Sequence, residues 1–255
     1  MMPSLVRDTW LVFQRSMLLT LRNPTWVAVG LAQPLYYLLL FAPLLKNVRA
    51  PGMAGGDAAF AFFIPGLLTQ LALFGTLFVG FGLIGELRDG VIERMRVTPV
   101  SRFALLLGRA LRDVVTLVVQ AIVLVVISIP FGLSVHFGPL LLVLCLMVLL
   151  ALLGASVSYA VALILKSEDA LAPLANGVAM PILLLSGVFL PMAAAPGWLQ
   201  GISHANPLRY AVDAARDLFA GHITTNAVYE AAIILLALTV ASVIWAARRF
   251  ARTVS

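Results

Sequence analysis

The sequence is poor in charge. Asp, Glu, Lys and Arg supply 11% of its 255 residues, and 62% are hydrophobic. A soluble domain carries about 25% charged and 45–50% apolar residues. With a mean hydropathy of +1.05, too little polar surface remains to cover a water-soluble globule. The absence of a charge-rich tract and of any Gly or heptad repeat excludes disorder, collagen and coiled coil. One cysteine, Cys145, leaves no intramolecular disulfide and no cysteine metal cluster. Inside an apolar run it reads as small hydrophobic filler. There are two lysines, Lys46 and Lys166, each preceded by a leucine. A phosphate-cradling loop needs Gly-Lys-Ser/Thr at a helix start, so ATP chemistry is expected on another polypeptide. The first 22 residues contain Arg7, Asp8, Arg15 and Arg22 without an uninterrupted apolar core, so no cleavable signal peptide is expected.

What is present is apolar sequence in long runs. A bilayer core of about 30 Å needs about 20 helical residues. Six stretches qualify: Trp26–Leu45, Phe60–Ile84, Leu105–Phe131, Pro139–Leu165, Ala170–Pro191 and Ala227–Ala247. Each is continuously apolar rather than alternating, so helices are predicted and not a barrel. The fold class is an all-α integral membrane protein with six transmembrane helices, read as one transmembrane domain over 1–255.

The net charge of +6 does not form a nucleic-acid patch; the basic residues punctuate the apolar runs. If both termini share a side, that side holds Arg7, Arg15, Arg22, Arg88, Arg94, Arg96, Arg102, Arg109, Arg112, Lys166, Arg248, Arg249 and Arg252. The other holds Lys46, Arg49, Arg209 and Arg216. This distribution, 13 against 4 of the 17 basic residues, predicts cytoplasmic termini.

Three segments between spans invite structure. In 3–22, Val6, Trp10, Phe13, Met17 and Leu21 share a helical face with arginines largely opposite, which suits a helix lying in the headgroup plane; a basic lead-in is the plainer alternative. In 86–102, Leu87, Val91 and Met95 form an apolar ridge among charges of both signs. A short helix ended by Thr98-Pro99 is predicted there, as a docking surface for a soluble partner or simply a solvated loop. In 192–225, Asn206-Pro207 is a favourable helix start. Leu208, Val212, Ala215 and Phe219 then line one face, and Arg209 and Asp213 pair at i, i+4.

A six-span intramembrane serine protease needs a serine with a histidine in reach. Ser186-Gly187 is the nearest candidate, but His136, His204 and His222 all fall outside the spans. No His/Asp/Glu group has metal-ligand spacing. An ion-coupled secondary transporter would need charge within the membrane. The spans offer Arg109, Arg112 and Asp113 near one end of the third and Glu230 near one end of the sixth. An Arg109–Asp113 pair with arginines snorkelling to headgroups explains these structurally. Gln120 is either helix–helix glue or a pathway residue. Gly154 and Ser158 form a small-xxx-small pair for close packing, while Pro34, Pro65 and Pro181 are candidate kinks.

The segment GELRDGVIERMRVTPVSRF, the short turn LKSEDAL and the stretch LLLSGVFLP…PGWLQGISHANPLRYAVDAARDLF resemble, in order and spacing, the membrane subunit of type-2 ABC exporters, particularly DrrB-like drug-resistance permeases. The resemblance covers about a third of the chain, and Val91-Ile92 departs from the Thr-Leu often found after the glycine. It implies that Glu86, Arg88, Gly90, Glu93, Arg94, Thr98, Pro99 and Arg102 couple to an ATPase. It implies that Asn206, Pro207, Arg209, Tyr210, Asp213 and Arg216 belong to an external signature helix within a re-entrant segment. It also implies two copies of a separate ATPase subunit holding ATP and Mg, with no cofactor in this chain. A second permease copy or a paralogue and an inner-membrane location follow from it, with no role for nucleic acid. Phe74, Phe78 and Gln120 are the candidate pathway residues, and the apolar spans fit a hydrophobic or amphiphilic cargo.

Overall fold

The computed structural model describes residues 2–45, 57–91, 101–189 and 191–253. Ten α-helices account for the described elements: α1 (Met2–Arg22), α2 (Thr25–Leu45), α3 (Asp57–Leu77), α4 (Val79–Arg88), α5 (Arg102–Ser128), α6 (Phe137–Leu165), α7 (Glu168–Leu185), α8 (Gly197–Ser203), α9 (Pro207–Phe219) and α10 (Asn226–Thr253). Short 3₁₀ turns occupy Ile129–Phe131 and Met192–Ala194. Among the described residues, six helical stretches are long and apolar enough to cross a membrane: Val27–Leu44, Ala59–Arg88, Phe103–Phe131, Phe137–Leu165, Glu168–Leu185 and Asn226–Arg252. These are the six predicted runs. The end that carries α1, Glu86 and the last turn of α10 is called here the basic end.

α6 is the hub. Its 29 residues span about 43 Å at about 1.5 Å per residue, and it touches α3, α4, α5, α7, α9 and α10. Small residues on it let neighbouring helices approach closely, as packing between helices in lipid favours. A Cβ added at Gly154 would meet the Thr76 Cβ at 2.8 Å, so the predicted Gly154/Ser158 stripe is where α3 and α4 close on α6. Buried Phe60, Ile64, Leu68, Leu124 and Met147 form the core of one half. Leu83, Leu106, Tyr159, Leu163 and Phe250 fill the half at the basic end.

Two span boundaries differ from the expectation. The second span is not one helix: it breaks at Phe78, between α3 and α4. The Phe81 amide turns onto the Phe78 carbonyl at 3.1 Å, which releases the Leu77 carbonyl from the ladder. The Ser158 hydroxyl takes over, donating to Leu77 O at 2.6 Å and accepting from the Gly80 amide at 3.0 Å. The span then continues to Arg88, where Gly90 stops it in a left-handed conformation (φ 65°). Leu87 therefore belongs to the span rather than to a separate loop helix, and residues 92–100 of the expected helix lie outside the described residues. The fifth span ends at Leu185 rather than Pro191, because the Ser186 amide turns back to Leu183 O at 3.2 Å and Gly187 adopts φ 79°.

Candidate functional site

Two polar groupings stand out, one at each end of the bundle. At the basic end, Arg109 on α5 lies 5% exposed in the core and ion-pairs with Glu86 on α4. Its neighbour one turn on, Arg112, contacts Asp113 at 2.6 Å and reaches Thr20 Oγ1 on α1 at 3.4 Å. The Tyr159 hydroxyl, from α6, donates to the Asp113 carboxylate. The expected Arg109–Asp113 pair is thus corrected: each takes a partner from another helix, or next door in sequence. Snorkelling is corrected with it. Arg109 points into the protein because Glu86 satisfies it there, whereas Glu86 itself is about one-third exposed at the rim.

Side chains from α1, α4, α5 and α6 also bound a cavity of about 70 Å³. Ser16, Gly82, Glu86, Arg109, Arg112 and Tyr159 are among its lining residues. Arg109 Nη1 and Arg112 Nε are buried and have no hydrogen-bond partner. A charge at the bilayer centre costs about 2.5–3.5 kcal/mol on insertion scales, and deleting one partner of a buried pair costs about 3–5 kcal/mol. Position and pairing hold the first cost down here; the second makes single deletions harmful.

α1 is positioned on this grouping by close backbone approach. A Cβ at Gly108 would strike Val12 Cβ at 2.7 Å and Thr9 O at 2.9 Å, so glycine lets α1 lie directly on α5. Thr9 is buried, while Val6, Trp10 and Leu21 of the predicted apolar stripe are 70%, 55% and 67% exposed. The helix therefore docks through the side that bears Thr9 and Val12 and leaves Val6, Trp10 and Leu21 of the apolar stripe outward.

Of the coupling residues inferred from resemblance, Glu86 lies in the charge grouping. Arg88 ends α4 and approaches Glu168 of α7 at 3.6 Å, and Gly90 forms the turn. Glu93, Arg94, Thr98 and Pro99 lie outside the described residues. Arg102 opens α5.

At the opposite end the signature residues form a clamp. Asn206 caps α9 as predicted, accepting the Leu208 amide at 3.1 Å, and its Nδ2 donates to Ile182 O of α7 at 2.6 Å. Pro207 occupies the first helical position. Arg216 donates through Nη2 to Gly187 O at 2.8 Å and through Nε to Phe62 O at 3.3 Å, with its guanidinium 3.6 Å above the Phe62 ring. It thereby supplies donors to the carbonyls exposed where the fifth span ends. Arg209 bonds Gln200 O at 3.1 Å and lies 3.6 Å from Asp213, while Tyr210 donates to His204 O at 3.0 Å. Burial pulls the Arg216 guanidinium down to about 10, against the attraction of Asp213. Burial also raises the Asp213 carboxyl above its ordinary value, opposed by Arg216 and Arg209. Leu208, Val212, Ala215 and Phe219 are buried, matching the predicted apolar face.

The candidate pathway residues are not gathered into one lining. Gln120 is buried and donates to Val27 O of α2 at 2.7 Å, so it acts as glue between the first and third spans. Phe74 and Phe78 stack with centroids 6.4 Å apart, and Phe74 packs on Leu183, Val188 and Val212. Sequence reasoning missed Tyr159, and read Ser158 only as a packing residue, not as a hydrogen-bonding one. Their signal was a polar atom on the small-residue face of the most apolar span.

The ABC-2 type transporter profile matches residues 7–220. The chain belongs to the ABC-2 type transporter family. Within it, the chain is similar to the daunorubicin resistance ABC transporter permease protein DrrB1 of Streptomyces coeruleorubidus, 30% identical over 191 residues, 74% of this chain and 66% of that relative. It also resembles the putative transport permease ycf38 of Cyanophora paradoxa, 28% identical over 218 residues, 84% of this chain and 74% of that one. The probable doxorubicin resistance ABC transporter permease protein DrrC of Mycobacterium tuberculosis is 24% identical over 218 residues, covering 85% and 78%. The ABC-2 match runs from α1 to the end of α9, so both polar groupings lie inside it. The chain is a multi-pass membrane protein of this family, akin to ABC permease subunits.

Proposed function

We propose that this chain is the permease subunit of an ATP-driven exporter that moves a hydrophobic or amphiphilic compound out of the cytoplasm or inner leaflet. Family membership with drug-resistance permeases among the relatives carries the reading. Two copies of a separate ATPase subunit hold ATP and Mg, and a second permease copy or a paralogue completes the complex. The basic end faces the cytoplasm of the inner (plasma) membrane, as the distribution of arginines favours. Segment 192–225 is the external re-entrant segment.

The mechanism this reading implies is mechanical. Closure of the ATPase subunits presses on Glu86–Arg102 and shifts the spans between two packings; ATP must therefore bind the two states with different affinity. Cargo leaves between the first, second and fifth spans of the two permeases. The first and fifth spans are the least enclosed in the single chain, 17% and 22% buried, as suits faces that a second permease would cover; the second span, 56% buried, does not share that exposure. The test is co-expression with a P-loop ATPase, sought first among the neighbouring genes. Co-purification and drug efflux lost in the Glu93→Ala/Arg94→Ala variant are expected. Intact assembly with wild-type coupled transport would reject the docking role, and cleavage of a model membrane substrate by the isolated chain would favour the protease reading.

A further inference from the structure

Glu86 sits at the point where the second span hands over to the segment that the exporter reading assigns to the ATPase. Its carboxylate is tied to a single buried arginine, Arg109, 23 residues away on the third span. One turn further along α5 a second set of contacts joins Arg112 and Asp113 to each other, to Tyr159 on α6 and to Thr20 on α1. Four helices thus meet through side-chain charge and hydroxyl contacts.

Stability alone does not call for such a grouping. Buried ion pairs replaced by apolar side chains of similar volume are often neutral or stabilising, and the surrounding core already packs through Leu83, Leu106 and Ala110. Two features suit it to movement instead. The cavity of about 70 Å³ beside it gives side chains room to shift where a close-packed core resists any displacement. The unpartnered Arg109 Nη1 and Arg112 Nε are donors already desolvated, so a second pairing of the same charges takes no further group out of water.

Resting on the exporter reading, we propose that Glu86, Arg109, Arg112, Asp113 and Tyr159 form a charge-pairing joint that passes movement of the coupling segment to the third and fourth spans and to α1. These are positioning residues; none is assigned contact with cargo.

The test uses the full chain with its ATPase subunit in proteoliposomes and reads transport per ATP hydrolysed. Glu86→Met/Arg109→Met removes the pair without leaving a lone charge. It is expected to melt no lower than wild type in detergent yet to transport about tenfold less per ATP. Glu86→Arg/Arg109→Glu keeps the pair reversed and is expected to recover to within about threefold of wild type. A stable apolar variant with wild-type transport per ATP would overturn the joint, because packing alone would then suffice. A reversed pair no better than the apolar one would also overturn it. Should wild-type chain fail to co-purify with the ATPase, the exporter reading itself fails and the joint falls with it; normal wild-type coupling beside normal variant coupling rejects the joint alone.

Discussion

The hydroxyl of Ser158 stands between Gly80 and the carbonyl of Leu77, accepting from the first at 3.0 Å and donating to the second at 2.6 Å. One side chain of the fourth span therefore completes the hydrogen bonding of a break in the second. In lipid no water can replace it. Ser158→Ala is expected to lower stability by about 1–3 kcal/mol, the cost of leaving buried partners unsatisfied. Gly80→Ala should cost at least as much, since its Cβ would lie 2.8 Å from the Ser158 carbonyl oxygen, which is backbone and cannot swing aside. Reversible unfolding in mixed micelles measures both, and wild-type stability in the two variants would reject the role.

Arg216 holds the turn after α7 by its planar fork. Arg216→Lys retains the charge but cannot serve Phe62 O and Gly187 O together, because an ammonium is a compact point donor on a flexible stem. A loss of about 1.5–3 kcal/mol is expected, the range for hydrogen bonds to charged groups. Faster proteolysis between residues 186 and 206 should accompany it. Unchanged melting and cleavage would mean that the clamp is idle.

The raised Asp213 carboxyl sets a sign for pH dependence. A carboxyl with a higher pKa in the folded state contributes stability that is fully present below its unfolded pKa and lost as pH rises through the folded one. Wild type should therefore lose stability relative to Asp213→Asn as pH is raised from about 4 (an unfolded Asp titrates near 3.9) toward neutrality. The half-exposed side chain keeps the effect small through solvent screening. Arg216, lowered only to about 10, stays charged throughout that window and adds no slope. Parallel pH–melting curves for the two proteins would contradict this.

Gln120 bonds the first span through Val27 O, the contact expected of helix–helix glue. Gln120→Leu is expected to cost about 0.6 kcal/mol, the mean for polar contacts between membrane helices, and, on the exporter reading, to leave the range of compounds handled unchanged. Minimum inhibitory concentrations across a drug panel provide the check; a shifted panel would return Gln120 to the pathway.

Much of this was legible along the chain. Span number and the capped start of α9 follow from local properties: an apolar run long enough for lipid, or an asparagine placed before a proline. Asn206 caps the Leu208 amide because that geometry involves neighbours in sequence. The end of the fifth span was less legible. Ser186-Gly187 interrupts an apolar stretch that continues to Leu190 and Pro191, and hydropathy does not register a left-handed glycine.

Charge pairing was misread for a related reason. Arg109 and Asp113 have helical i, i+4 spacing, yet spacing fixes only that two residues share a face. Which partner wins depends on what the neighbouring helices bring to that face, and α4 brings Glu86 while α6 brings Tyr159.

The low charge content and long apolar runs by themselves determined that this is a six-span helical membrane protein, because lipid leaves backbone groups no partner outside a helix. Tertiary structure alone decided where the few charges meet and where a span breaks. A buried ionisable group takes its partner from whichever packed helix presents one, and the carbonyl released at Leu77 is held by a serine 81 residues away.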